Sequence, residues 1–280
     1  LSHYIRAIRW KMLIKPLGKS PRTVNVFLAV LTGFFFNLLF PRLGEVIKCT
    51  LLGKYEKIPV DKLIGTMVAE RVLDLICLVL VIFLAISTQI DLVGGYANEL
   101  LDQILSKINT SPTAILFFII LLLCFSAIVY LFYIKARHSL FLLKISNWIK
   151  GIIEGLISIR KVENKFMFIV HTLAIWFLYL ASIRVGFYAM QDLVLLGWVP
   201  SLTILTFGSF AMIATQGGIG AYQFAVQKTL LLYGVKEVSG LAFGWLLWSV
   251  QTVMFFITGP ISLLLLFTLN KKSTISNLKN

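Results

Sequence analysis

The chain alternates long apolar runs with short basic stretches. Residues 63–90 are apolar except for Glu70, Arg71 and Asp74 near their start, and 114–134 carry no charge. Residues 166–190 contain only His171 and Arg184, and 240–269 are again uncharged. Each run reaches the roughly 20 residues that a helix needs to cross about 30 Å of hydrocarbon. Two further apolar runs are interrupted. Residues 23–40 meet Pro41-Arg42-Leu43-Gly44-Glu45 and resume as 45–53, while 201–214 meet Gln216-Gly217-Gly218-Ile219-Gly220 and resume as 221–233. Pro and clustered Gly end helices, and 14 residues rise only about 21 Å, short for a crossing. The pattern predicts discontinuous helices or re-entrant hairpins at both places.

Composition removes the soluble alternatives. Apolar residues make up 59% and charged ones 14% of 280 residues, with 22 Phe and a mean hydropathy of +0.90. A soluble domain is typically about 45–50% apolar and about 25% charged. The fold class is therefore an all-α polytopic membrane protein, with about four to five full transmembrane helices beside the two broken ones. Lys and Arg outnumber Asp and Glu by 26 to 12, a net charge of +14. The surplus clusters in 1–22, 135–165 and the tail, between apolar runs, as cytoplasmic loops do under the positive-inside rule. Such loops attract anionic lipid headgroups. With no RNA- or DNA-binding motif beside the charge, nucleic acid is not a partner. Cys49, Cys77 and Cys124 lie far apart, in neither metal-ligand nor disulfide-framework spacing. No metal site or cofactor is expected.

Charge placement yields a topology. With 135–165 and 271–280 in the cytoplasm, 63–90 leaves, 114–134 returns, 166–190 leaves and 240–269 returns. The loop 91–113, with Asp91, Glu99 and Asp102 against Lys107, suits the outer face. Segment 23–53 must then begin and end inside, and 201–235 begin and end outside. That describes an inverted repeat in one membrane domain, 1–280: a first repeat 1–134, a basic amphipathic cytoplasmic linker 135–165, and a second repeat 166–280. Ile8-Arg9 aligns with Ile183-Arg184, Gly33 with Gly208 and Phe35 with Phe210 at one constant offset. Because 166–190 precedes the second hairpin, a further helix is expected before Leu1. Broken helices in matching positions of inverted halves mark a transport site near the bilayer midplane.

Three constellations carry candidate chemistry. Glu70 and Asp74 stand at i, i+4 on a helix, with Arg71 within reach of Asp74 at i, i+3. One cation between two carboxylates lowers the cost of each in lipid. Two readings stand open, a structural clamp and the lining of a polar path. At the first break, Arg42 can neutralise the carbonyl end of the first half-helix, Glu45 suits the start of the next, and Asn37 can bond freed backbone. Irregular backbone survives in lipid only where protein buries it or where it lines a cavity. At the second break, Gly217, Gly218 and Gly220, followed by Tyr222 and Gln223, read as an anion nest at a helix N-terminus or as close helix packing. Arg184 either snorkels to the outer interface or contacts a phosphate, and His171 reads as a satisfied polar residue.

Asn37…Pro41-Arg42-Leu43-Gly44-Glu45, Glu70-Arg71-Val72-Leu73-Asp74 and Gly217-Gly218-Ile219-Gly220-Ala221-Tyr222 resemble the membrane region of the lysylphosphatidylglycerol synthase family, and Arg6…Arg9-Trp10 fits as well. The resemblance spans the chain. It departs at Gln223, where the family often has Glu, and at Gln216, where it often has Pro. Full synthases carry a soluble C-terminal aminoacyl-transfer domain, which the ten residues after the last apolar run do not supply. The resemblance therefore implies a stand-alone member that moves a polar-headgroup lipid between leaflets along re-entrant helices. Its ligands would be membrane lipids, anionic ones given the basic surplus, and its protein partners a second copy or a lipid-synthesising enzyme. A membrane enzyme acting on a lipid carrier, with Glu70 or Glu45 as base, and a non-transporting scaffold for a synthase are the rival classes. With no nucleotide-binding motif, movement would be downhill, ion-coupled or driven by a partner.

The topology is testable by cysteine labelling from either side of the membrane. Residues near Tyr55 and Ser146 should label from the cytoplasm and those near Asn98 and Val238 from outside. Labelling of Tyr55 and Asn98 from one side would refute the inverted repeat.

Overall fold

A computed structural model describes residues 1–40, 42–88, 153 and 157–276. The expected helix 114–134 and most of the linker 135–165 lie outside the described residues. Among those described there are eight α-helices and no strand: α1 (Ser2–Ile14), α2 (Thr23–Leu39), α3 (Leu43–Glu56), α4 (Val60–Thr88), α5 (Lys165–Gly186), α6 (Trp198–Ala214), α7 (Ala221–Leu231) and α8 (Glu237–Ser276). Three stretches, Val60–Thr88, Lys165–Ala189 and Glu237–Lys271, are long and apolar enough to cross a membrane. Thr23–Leu39 and Trp198–Ile213 are apolar but shorter. The chain is a multi-pass membrane protein.

Both interrupted runs fold back as helical hairpins. In the first, Phe40 takes an extended conformation (φ −136°, ψ 134°), as the residue before a proline must. Arg42 follows in the left-handed region (φ 58°), which turns the chain into α3. The Asn37 side-chain oxygen accepts the Gly44 N–H at 2.9 Å and so satisfies an amide that the start of α3 leaves without a helical partner. The helices touch where Gly33 faces Gly44; a Cβ on Gly44 would collide with the Gly33 carbonyl and lie 2.8 Å from the Asn37 backbone nitrogen. In the second hairpin, Thr215 is extended, and Gly217, Gly218 and Gly220 hold φ of 63°, 74° and 78°. Only glycine takes such a succession without strain. Here Gly208 of α6 lets the Tyr222 ring of α7 lie against the backbone.

Helix α8 runs along both hairpins and shows their relative direction. From its N-terminal end, Gly240 packs on Gln227, Gly244 on Gln223, and the Trp248 indole donates to the Gly217 carbonyl at 2.7 Å. Gly259 then meets Phe35, and Asn270 exchanges hydrogen bonds of 3.1 Å with Asn25. The order is base then tip of the second hairpin, followed by tip then base of the first. The hairpins thus enter from opposite ends and meet tip to tip, where the Gln216 amide donates to the Leu39 carbonyl at 3.2 Å. Gly240 and Gly244, four residues apart, bring α7 and α8 into backbone contact, the small-residue packing that membrane helices favour.

Each hairpin has its own apolar core. One gathers Trp10, Leu13, Val26, Leu52, Leu63, Phe168 and Leu266, and the other Ile183, Phe187, Ile204, Val226, Leu230 and Phe243. Helix α4 passes from Leu63 in the first core to Val81 beside the second, α5 from Phe168 to Ile183, and α8 the opposite way from Phe243 to Leu266. Helices α4 and α5 therefore run parallel and α8 antiparallel to them, as the charge-derived topology requires.

The Gly33–Gly44 contact yields a stability prediction. Gly44→Ala overpacks the first hairpin and should cost about 1–3 kcal/mol. Gly197→Ala, where nothing lies within 4 Å of the added carbon, should change stability by less than about 0.5 kcal/mol. Thermal unfolding in detergent, followed by size-exclusion fluorescence, ranks the two. Equal midpoints would mean the hairpin helices are not in contact there.

Candidate functional site

Midway along α4, Glu70 and Asp74 project from one face toward α1. They lie about 15 and 21 Å from the start of a helix about 43 Å long, at 1.5 Å per residue. Glu70 is fully buried, as is Arg9, and Arg6 is 5% exposed. Arg6 Nη1 donates to Glu70 Oε1 and to Asp74 Oδ2, both at 2.8 Å. Arg9 Nη2 donates to Asp74 Oδ1 at 2.6 Å and to Glu70 Oε1 at 3.3 Å. These arginines stand at i, i+3 on α1, on the face that meets α4, and match the i, i+4 spacing of the carboxylates. Helix α5 closes the far side, with Tyr179 accepting from Arg6 at 3.0 Å and Thr172 from Arg9 at 3.4 Å. Trp10, next on α1, donates its indole N–H to Thr66 at 3.0 Å.

Helix α3 supplies the other half of the network. Lys48 is 4% exposed; its ammonium lies 2.8 Å from Glu45 Oε2 and 3.3 Å from Glu70 Oε2, and 4.8 Å from the centre of the Trp10 ring. Arg71 reaches the same carboxylates only loosely, at 3.6 Å from Glu45, 3.7 Å from Glu70 and 3.8 Å from Asp74. Among the described residues, four cations and three carboxylates are thus joined by ion pairs across α1, α3 and α4, one more cation than carboxylate. Beside them, Val30, Gly33, Phe34, Asn37, Glu45 and Lys48 line a small pocket between α2 and α3 with room for about one water molecule.

This geometry revises one expectation. The cations hydrogen-bonded to Glu70 and Asp74 are Arg6 and Arg9, while Arg71 reaches both carboxylates only at longer range. Residue 71 points about 100° round the helix from residue 70, and the Arg71 side chain is 40% exposed. Arg6 and Arg9, read from sequence as part of a basic cytoplasmic end, are among the most buried charges of the described residues. The Arg-x-x-Arg spacing of α1 was the available signal.

The remaining candidates divide. Asn37 and Glu45 line the pocket, while Arg42 is exposed at the tip of the first hairpin. At the other tip the amides do not converge as a full nest: the N–H groups of Gly218 and Ile219 donate to Thr215 and Gln216 within the turn. Gly217 carries the Trp248 bond, Gly220 opens α7, and Tyr222 packs on Gly208. Arg184 lies 4.7 Å over the Tyr188 ring and donates to its hydroxyl at 3.1 Å, away from the cluster. His171 turns its Nδ1 to the Met167 carbonyl at 2.6 Å. Gln223, 1% exposed, has neither amide atom in a hydrogen bond. It occupies the place in the second hairpin that Lys48 holds in the first, at the offset that relates Gly33 to Gly208.

Removing one member of a buried ion set leaves its partners uncompensated, at a cost of about 3–5 kcal/mol. Arg6→Ala and Arg9→Ala should therefore reduce the folded yield sharply. Arg71→Ala, which breaks no hydrogen bond, should cost about 1 kcal/mol or less. Detergent-solubilised yield and unfolding midpoint measure both; a larger loss in Arg71→Ala than in Arg9→Ala would overturn the assignment.

The search of solved structures finds no match. Among curated sequences, the UPF0104 membrane protein MJ1595 of Methanocaldococcus jannaschii is 44% identical over 73 residues, which are 25% of this chain and 22% of that protein. The aligned stretch is thus about a fifth of the relative. The family comparison reaches further. Residues 1–259, which include both hairpins and all seven charged residues of the cluster, match the lysylphosphatidylglycerol synthase transmembrane region, and the chain belongs to that family.

Proposed function

We propose that this protein moves a polar, phosphate-bearing lipid between the leaflets of the cytoplasmic membrane. Its basic loops and C-terminus would lie in the cytoplasm, the first hairpin would re-enter from that side, and the second from the outside. One observation carries the reading: a cation-rich ion network, buried in a bundle of membrane helices, borders a pocket inside a hairpin whose tip meets another from the opposite end. A purely structural network tends toward charge balance, because a surplus charge in a low-dielectric interior is costly. An anionic headgroup supplies the balance, and its hydrocarbon chains need not leave the bilayer. Half-helices meeting near a bilayer midplane recur at transporter substrate sites.

Reconstitution of the purified protein into liposomes with headgroup-labelled lipids tests this reading. Labelled lipid should equilibrate between leaflets faster than in protein-free vesicles, with its mass unchanged. A converted lipid would favour a membrane enzyme, and neither exchange nor conversion would favour a scaffold.

A further inference from the structure

The two returning helices, α3 and α7, hold corresponding places in their hairpins but are fastened in different ways. Helix α3 is tied to its neighbours by directed bonds. Its Lys48 and Glu45 pair with Glu70 and Arg71 of α4. At its other end Glu56 accepts from the Asn25 amide at 2.6 Å and from the Arg22 N–H at 3.0 Å. The joints of α3 are stiff as well. Arg42 before it and Lys57 after it hold φ of 58° and 52°, where a residue with a Cβ has only a narrow well.

Helix α7 has neither restraint. Among the described residues its side chains bond other elements only through Gln227, at 3.3 Å, and Lys228, at 3.2 Å, and both reach Glu237 at the start of α8. All three of these residues are exposed or nearly so, and such contacts hold weakly. Val226 and Leu230 place α7 in the second apolar core, but apolar contact has no preferred direction. Against α8 the contact is backbone on glycine. A Cβ on Gly244 would lie 2.8 Å from the Gln223 Cα, and one on Gly240 3.2 Å from the Gln227 Cα. At those points α8 offers a smooth track with no side chain to interlock.

The joints of α7 are glycines. Gly220 before it and Gly234 after it hold φ of 78° and 74°, and nothing lies within 4 Å of a carbon added at either. Each has both the room and the conformational range to turn. The hairpin tip itself is pinned by Trp248 on the Gly217 carbonyl, so the turning point falls beyond it, at Gly220. Gln223 supplies the reason to move. Its amide is buried with neither atom hydrogen-bonded and so carries the full desolvation cost of a donor and an acceptor. A displacement of α7 that admits water to the amide recovers that cost. We infer that α7 is the moving element of the bundle, a gate helix that swings on Gly220 and Gly234 against α8 while α3 stays fixed. In its open position the Gln223 amide is hydrated. The motion is measurable whether or not lipid is translocated, so it stands or falls apart from that reading.

Hydrogen–deuterium exchange of the full chain in lipid nanodiscs, read by mass spectrometry, tests the gate. Backbone amides of 225–231 in α7 should exchange about tenfold faster than those of 47–56 in α3, while 202–214 of α6 and 244–256 of α8 keep their protection. Gln223→Met retains the length of the side chain without the unpaired amide. It should slow exchange in α7 about tenfold and leave α3 unchanged, because the closed position then buries no unsatisfied group. Equal protection of α3 and α7 in the wild type would overturn the gate, as would an α7 that exchanges in Gln223→Met as it does in the wild type. Loss of protection in α6, α7 and α8 together would also overturn it, since the second hairpin would then be unfolding as one body.

Discussion

Ionised side chains inside a membrane bundle must find one another, and this constraint organises the first half of the molecule. Glu70 cannot remain charged and fully buried on α4 without cations close by, because the low-dielectric interior offers nothing else to replace its water. Arg6 and Arg9 on α1 and Lys48 on α3 meet that need, so three helices are drawn to one point. Thr172 and Tyr179 bring α5 into the same network by accepting from the Nη groups of Arg9 and Arg6. The apolar core around Trp10, Leu52 and Leu63 gathers beside it.

The hairpins meet a different constraint. A break in a helix frees backbone donors and acceptors that lipid cannot satisfy. The two tips share part of the solution, with Gln216 bonding the Leu39 carbonyl and Trp248 of α8 bonding the Gly217 carbonyl. Helix α8 serves as the common rail, using glycine where backbones approach and asparagine at the far end, where Asn270 meets Asn25 and Asn25 in turn bonds Glu56 at 2.6 Å. Much other polarity in the bundle is absorbed locally. Ser201, Thr203, Thr206 and Ser209 of α6 each bond the carbonyl four residues back.

The two hairpins match in construction but not in charge. Lys48 and Gln223 occupy corresponding places, one in an ion network and the other buried with no hydrogen bond. Corresponding to Glu70 and Arg71 in α4 are Trp245 and Leu246 in α8. Among the described residues, the inverted pair thus concentrates its buried ionised groups at the first hairpin.

Much of this architecture was legible in the sequence because it is governed by local rules. Helix length against bilayer thickness identified the three spans found among the described residues, and Pro41 and the Gly217–Gly220 run located both breaks to within a few residues of where α2 and α6 end. The predicted bond from Asn37 to freed backbone falls within seven residues, close enough for sequence spacing to show it. Tertiary structure alone decided the partners of the buried charges. Arg6 and Arg9 lie more than 60 residues from Glu70 and Asp74, and no periodicity shows which helix faces which. Sequence spacing therefore assigned the carboxylates to Arg71, their neighbour on the same helix. The fold turns Arg71 partly outward and passes its role to α1, because a helix face holds only what lies three or four residues apart, while packing can bring a full guanidinium edge to bear from a neighbouring helix.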